Sequence, residues 1–183
     1  ELVWDIWHQG TVFPASAAAV PFLYELLTHP DVQDKRDIVC LVGAVATGEG
    51  YLAYEFRVNG EETMRKILAR DGRSLEEEMA EEAAWMDALH RAVSAGLRHL
   101  LPYLRDSEFR WDVANALGYF PEHASWLMPV IDEALASEPD EHVRQALADS
   151  KIRLITGLPP QEPQDATPAD HARWIFAHPR NSY

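Results

Sequence analysis

The side chains equipped for chemistry in this chain are eight histidines, one cysteine, a dense run of glutamates and six tryptophans. Asp87 and His90 stand three residues apart, the spacing with which one helix offers two ligands to a metal inside a bundle. Such a centre needs a second motif of this kind and carboxylates from other helices, and the remaining histidines are dispersed, so His90 reads as a residue at the edge of a core. Glu122–His123 and Glu141–His142 are adjacent pairs, which a helix turns to different sides. The chain contains no His-Glu-x-x-His, no glycine-rich phosphate loop and no Gly-x-Ser-x-Gly. Ser16 reads as a helix cap and not as a nucleophile. No catalytic set, metal or cofactor is expected.

Cys40 stands alone, which excludes an internal disulfide framework and every multi-cysteine metal motif. Flanked by Val39 and Leu41, it reads as a small buried hydrophobe. A chain without disulfides fits a cytoplasmic location, and the N-terminus, starting at Glu1 with no basic region before an apolar one, suggests no secretory leader. Thirty acidic residues against sixteen basic ones give a formal net charge of −14. That balance repels phosphate backbones and anionic membranes and leaves a basic protein or cationic peptide as the electrostatically favoured partner. The densest basic group (Arg65, Lys66, Arg70, Arg73) precedes the acidic stretch Glu76 to Glu82, which reads as a solvated helix face. No apolar run approaches the roughly 20 residues of a membrane span.

The elements that position these residues are helical. Expected helices run from Ser16 to about Thr28 and from about Gln33 to Ala46, the latter with Ile38, Leu41, Val42 and Val45 at helical spacing. Another opens at Ser74, where Ser-x-x-Glu has the form of a capping box, and extends to about Arg91. Further helices are expected over Val93–Leu104, from Asp106 or Ser107 to near Gly118, over Ser125–Ala136 and over Asp140–Ile155. Residues 1–14 are expected to pack as an N-terminal cap, with Trp7 to Phe13 unusually varied for a connector. Thr47 to Gly60, punctuated by glycines, is expected to be an insertion loop packed over the helices, the alternation from Tyr54 to Val58 suggesting a strand too isolated to be stable. Residues 157–166 read as a linker to a C-terminal capping helix that opens at Thr167 and carries Trp174.

Three stretches superimpose, beginning at Val20, Leu97 and Val130. Anchored on Arg36, Arg110 and Arg144, they align Leu23, Leu97 and Ile131; Leu27, Leu101 and Leu135; and Val39, Val113 and Leu147. A helix pair recurring at this length is the signature of an α-solenoid. The leucine pairs Leu26/Leu27 and Leu100/Leu101, the Asp-x-x-x-Arg spacing of Asp106–Arg110 and Asp140–Arg144, and the run Ala114-Asn115-Ala116-Leu117-Gly118 resemble HEAT repeats of the short bacterial type related to the phycobilisome-lyase HEAT-like group. The first unit departs from the pattern, with Val32 where the aspartate should stand.

The resemblance implies an all-α fold, a right-handed α-solenoid of about four to five helix pairs in a single domain. Arg36 and Arg110 lie 74 residues apart, whereas Arg110 and Arg144 lie 34 apart, so a diverged unit and the insertion are expected between the first two. In such repeats the aspartates and arginines form a structural ladder between units. The architecture hosts binding scaffolds more often than catalysts, and the expected function is a non-enzymatic scaffold that grips a protein or peptide partner on its concave face. Trp85, Trp111, Asp112, Asn115, Gln145 and Asp149 are the candidate contacts; Trp85 and Trp111 are assigned to second helices, and Trp111, directly after Arg110, reads first as a wedge between repeats and second as an exposed anchor. An acidic immunity- or antitoxin-like inhibitor of a basic effector is the alternative favoured by charge. A bilin-lyase-like role lacks an accessible thiol, and a DNA-glycosylase-like role lacks a basic groove.

Overall fold

The computed structural model describes residues 5–157, and the expectations for Trp4, for the linker beyond Gly157 and for the helix at Thr167 lie outside the described residues. The chain is mostly helical. Two short strands open it, β1 (Trp7–His8) and β2 (Thr11–Val12), followed by α1 (Pro14–Thr28), α2 (Arg36–Thr47) and a third strand, β3 (Glu49–Gly50). Then come α3 (Tyr51–Asn59), α4 (Glu61–Arg70) and the long α5 (Leu75–Gly96). Two 3₁₀ turns (Leu97–His99, Leu101–Arg105) lead to α6 (Arg110–Leu117), and a third (Pro121–His123) leads to α7 (Ala124–Ser137) and α8 (Glu141–Thr156).

The N-terminal segment, expected as a packed cap with a connector at Gly10–Pro14, forms a hairpin over Trp7–Val12. Trp7 pairs with Val12 and His8 with Thr11 across a two-residue turn. Gln9 and Gly10 both take positive φ, 51° and 92°, the combination that matches a turn to the twist of its strands. β3 joins β2 in parallel, Thr11 opposite Glu49, and this fastens the hairpin to the end of α2. Ser16 is fully buried and lies inside the first turn of α1 instead of capping it. Its hydroxyl donates to Ile6 O at 2.6 Å and accepts from Phe13 N at 2.9 Å, stapling the hairpin to the helix.

The second helices of the three aligned units form a row. α2 packs on α6 and α6 on α8. Their contacts run in one sense along the chain: Cys40 meets Asp112, and Arg36 meets Glu108 at 2.7 Å. On the other side Arg110 meets Glu138 at 3.4 Å and Gly118 backs onto Ser150. The three helices are therefore parallel, and Arg36 and Arg110 each tie their unit to an acid at the corner of the next. Asp140 caps α8, accepting from His142 N and Val143 N at 2.9 and 3.2 Å. Its carboxyl is held below the ordinary range first by the Val143 amide. Arg144 stays within its own unit, on Glu138 O and Glu141.

No diverged unit intervenes between α2 and α6, which touch directly. The 74-residue interval is filled by β3 and by α3, α4 and α5 instead. The expected loop at Thr47–Gly60 is largely helix, because Leu52 and Phe56, one turn apart, face Met64, Leu68 and Leu75 in a small separate core. Tyr51 and Val58, at half or more exposure, face out, so the apparent alternation carried no strand. α5 packs along α1, and the basic group of α4 is neutralised there as its position suggested: Arg65 pairs with Glu76 and Arg73 with Glu78.

The expected helix over Val93–Leu104 is split. α5 continues through Gly96, whose missing Cβ would lie 2.1 Å from the Tyr24 ring. Tyr24 donates its hydroxyl to Val93 O at 2.9 Å, and Pro102 brings no N–H to continue the ladder. One large core draws on α1, α2, α5, α6, α7 and α8, with Val20, Val39, Leu100, Leu117, Leu127 and Ile131 fully enclosed. Gly157, at φ 65°, closes α8 with its N–H on Arg153 O.

Candidate functional site

The direct contact of α2 with α6 creates a groove of about 540 Å³. On α2, Asp37, Cys40, Leu41, Ala44 and Thr47 follow helical spacing and form one wall. On α6, Trp111, Asp112 and Asn115 share the facing side, while Val113, Ala114, Ala116 and Leu117 turn into the core. Gly43 lets the helices approach: a Cβ there would stand 3.3 Å from that of Asp112. Trp7, carried by β1, completes the lining. Two tryptophans and two carboxylates thus converge on a groove whose lining, among the described residues, contains neither lysine nor arginine.

Asp112 is half-buried, and its Oδ2 accepts a weak hydrogen bond from Cys40 Sγ at 3.8 Å. Burial holds its carboxyl above the ordinary aspartate range, with the thiol and its own backbone N–H pulling the other way. The Cys40 thiol is pushed up to about 11, by burial first and then by Asp112. Such a thiol is protonated at neutral pH. Cys40 is half-buried at its wall, where a fully buried residue was expected.

The six candidates separate. Trp111, at 37% exposure, lines the groove where the sequence reads first as a wedge between repeats, and Asp112 lines it beside Trp111. Asn115 also lines it but is 5% exposed, and its Oδ1 is engaged by both terminal nitrogens of Arg153 at 3.1 Å. It is a structural residue, contrary to the expectation that it meets a partner. Trp85 sits on α5, outside the row of second helices, half-buried against the main core. Gln145 and Asp149 lie on α8 away from the groove, and Gln145 Nε2 donates to Asp149 Oδ1 at 2.8 Å along their own helix. Trp7 is the groove residue that the sequence did not single out among contacts. Its place beside α2 depends on a hairpin whose signal, Gln-Gly at the turn, is weak.

Two other grooves have their charges consumed. One, of about 480 Å³ between α3 and α5, is lined by Leu52, Phe56, Met79, Met86, Glu49 and Glu82. Glu49 is paired with Arg57, and Glu82 accepts from Leu52 N and Ala53 N at 2.7 and 3.0 Å, capping α3. The other, of about 710 Å³, gathers Arg98, Arg105 and Arg110 with Glu133 and Glu138. There Arg105 pairs with Glu133, Arg110 with Glu138, and Arg98 lies over the Trp126 ring at 4.4 Å.

Ser94 Oγ and His123 Nε2 meet at 2.7 Å, within nucleophile–base reach, but they border none of these grooves, and the His123 ring lies against Trp126. The pair tethers α5 to the turn before α7. His90 similarly meets Glu122 at 2.7 Å and stacks on Phe120, the core-edge role its sequence position suggested. Among the described residues, no group of three or more His, Cys, Asp or Glu could hold a metal, and no helix is long and apolar enough to cross a membrane. Comparison with protein-family models, with curated proteins and with solved structures returned no match.

Proposed function

We propose that this chain is a non-enzymatic binding scaffold, a short right-handed α-solenoid of the HEAT-repeat type that holds a segment of a partner protein in the α2–α6 groove. The observation that carries this reading is the convergence of Trp7, Trp111 and Asp112 on an open groove between two parallel second helices. Large aromatic groups at the mouth of a concave site are the usual anchors of protein recognition. The scaffold reading is supported by the parallel row α2–α6–α8 and by the Arg36–Glu108 and Arg110–Glu138 links between successive units. The raised thiol of Cys40 and the commitment of Glu49, Glu82 and Glu138 to structural partners favour binding over catalysis. The net charge of −14 favours a basic partner, and it equally suits an immunity-like inhibitor of a basic effector.

Selection of a displayed random-peptide library against the full chain tests the proposal. Peptides are expected that lose at least tenfold in affinity when Trp111→Ala is introduced, with unchanged circular dichroism. A selected set whose binding is indifferent to Trp111→Ala and to Trp7→Ala would overturn the groove as the site.

A further inference from the structure

We infer that the α2–α6 groove recognises an arginine side chain of the partner, the guanidinium resting on the tryptophans and its charge meeting Asp112. This deepens the reading of the groove as a peptide site and rests on it.

Among its described lining residues the groove has no cation of its own. Asp37 and Asp112 are its charged lining residues, and neither is paired with a lysine or arginine among the described residues. The cation nearest along the chain, Arg36, is taken by Glu108 at 2.7 Å. The contrast with the other two grooves is direct, since there Glu49, Glu133 and Glu138 each hold an arginine of this chain. Asp112 has instead a thiol at 3.8 Å, the weakest of donors, so a half-buried carboxylate keeps unused acceptor capacity. Burial without a cation is also why its carboxyl is held high. An incoming cation would relieve that cost, whereas an anion would be repelled by both aspartates.

The tryptophans narrow the cation. Trp111 and Trp7 supply π-faces, on which a guanidinium stacks flat while its edge donates to a carboxylate. A lysine ammonium is more strongly hydrated and cannot form the planar double contact. This chain itself makes the pairing elsewhere: Arg98 lies over Trp126 at 4.4 Å and Arg153 over Tyr119 at 4.7 Å. A divalent metal is a poor occupant, because among the described residues no group of three or more ligating side chains gathers here. The groove, at about 540 Å³, has room for an arginine with flanking backbone.

The test follows the indole N–H signals of the full chain by NMR while a short glycine–serine peptide with one central arginine is added. Matched peptides carry lysine or citrulline instead, and the display-selected peptides serve as a second probe. The arginine peptide is expected to move the Trp111 signal, with citrulline binding at least tenfold more weakly and lysine several-fold more weakly. Asp112→Asn should lose at least tenfold, while Glu62→Gln, on the exposed face of α4, should change nothing. Equal binding of arginine and citrulline, or an unchanged Asp112→Asn chain, would overturn the arginine inference. In those cases a Trp111 shift by the selected peptides would leave the peptide site standing. Absence of any Trp111 shift with every peptide would overturn both.

Discussion

Asn115 shows how one residue changes meaning with its surroundings. In sequence it is a polar residue amid alanines on a helix, which reads as a contact for a partner. In the structure it is the acceptor for a buried cation: Arg153 Nη1 donates to Asn115 O and Oδ1, and Nη2 to Oδ1, all at 3.1 Å. Arg153 is 4% exposed, its proton affinity lowered first by burial and partly restored by Tyr119 and Asp149. Its Nε has no hydrogen-bond partner among the described residues. Removing the acceptor strands a desolvated guanidinium, so Asn115→Ala should cost about 2–4 kcal/mol in urea unfolding. Arg153→Met removes the charge and fills similar volume but takes the Arg153 donors from the buried Asn115 oxygens, so its cost should be smaller, about 1–2 kcal/mol. Equal costs for the two would show that the buried pair is net stabilising. Nothing local in the sequence announces Arg153 as the partner, since it stands 38 residues away on another helix. Trp111, beside Arg110, reads in sequence first as a wedge between repeats, and its 37% exposure at the groove is decided by how α2 and α6 meet.

At the scale of elements, close helix approach separates the glycines. A Cβ on Gly118 would lie 2.7 Å from the Ser150 Cα, and backbone cannot yield, so Gly118→Ala should cost about 2–3 kcal/mol. At Gly43 the obstacle is the Asp112 Cβ at 3.3 Å. The gain of up to about 1 kcal/mol from alanine in mid-helix should nearly cancel that crowding. Chemical denaturation of both variants checks the contrast, and a benign Gly118→Ala would refute the tight packing of α6 on α8.

Glu82 governs another element, since its two oxygens hold the first amides of α3. Its carboxyl is nevertheless raised, burial outweighing those two hydrogen bonds, with Glu49 adding to the rise. The folded protein therefore holds this proton more tightly than the unfolded chain does. Stability from this site is present below the unfolded carboxylate value of about 4.3 and falls as pH rises through the raised folded value. Glu82→Gln, which keeps one acceptor, should flatten that fall when stability is measured between about pH 4 and pH 7. Parallel pH profiles for the two chains would count against it. In sequence α3 reads as a loop because glycines punctuate the stretch, while Leu52 and Phe56, one turn apart, supply the helical face that finds a core.

Across the whole molecule the core is divided unequally. The large cluster joins six helices, whereas the α3–α4 hairpin rests on a few residues around Met64 and Leu68 and is tied down by Glu82 and by Arg57 on Glu49. Amides over residues 51–70 should therefore exchange with solvent well before those of α6, through a local opening that leaves the main core closed. Native-state hydrogen exchange reads this directly, and uniform protection in the two regions would contradict it.

The sequence by itself determined the helical class and the three aligned units. These follow from periodicity and spacing, which are local along the chain. Tertiary structure alone decided that α2 and α6 are neighbours, that a hairpin brings Trp7 to their groove, and that Asn115 is spent on Arg153. Each of those rests on contacts between residues far apart in sequence. Their choice depends on which apolar faces find one another, and no local pattern encodes that choice.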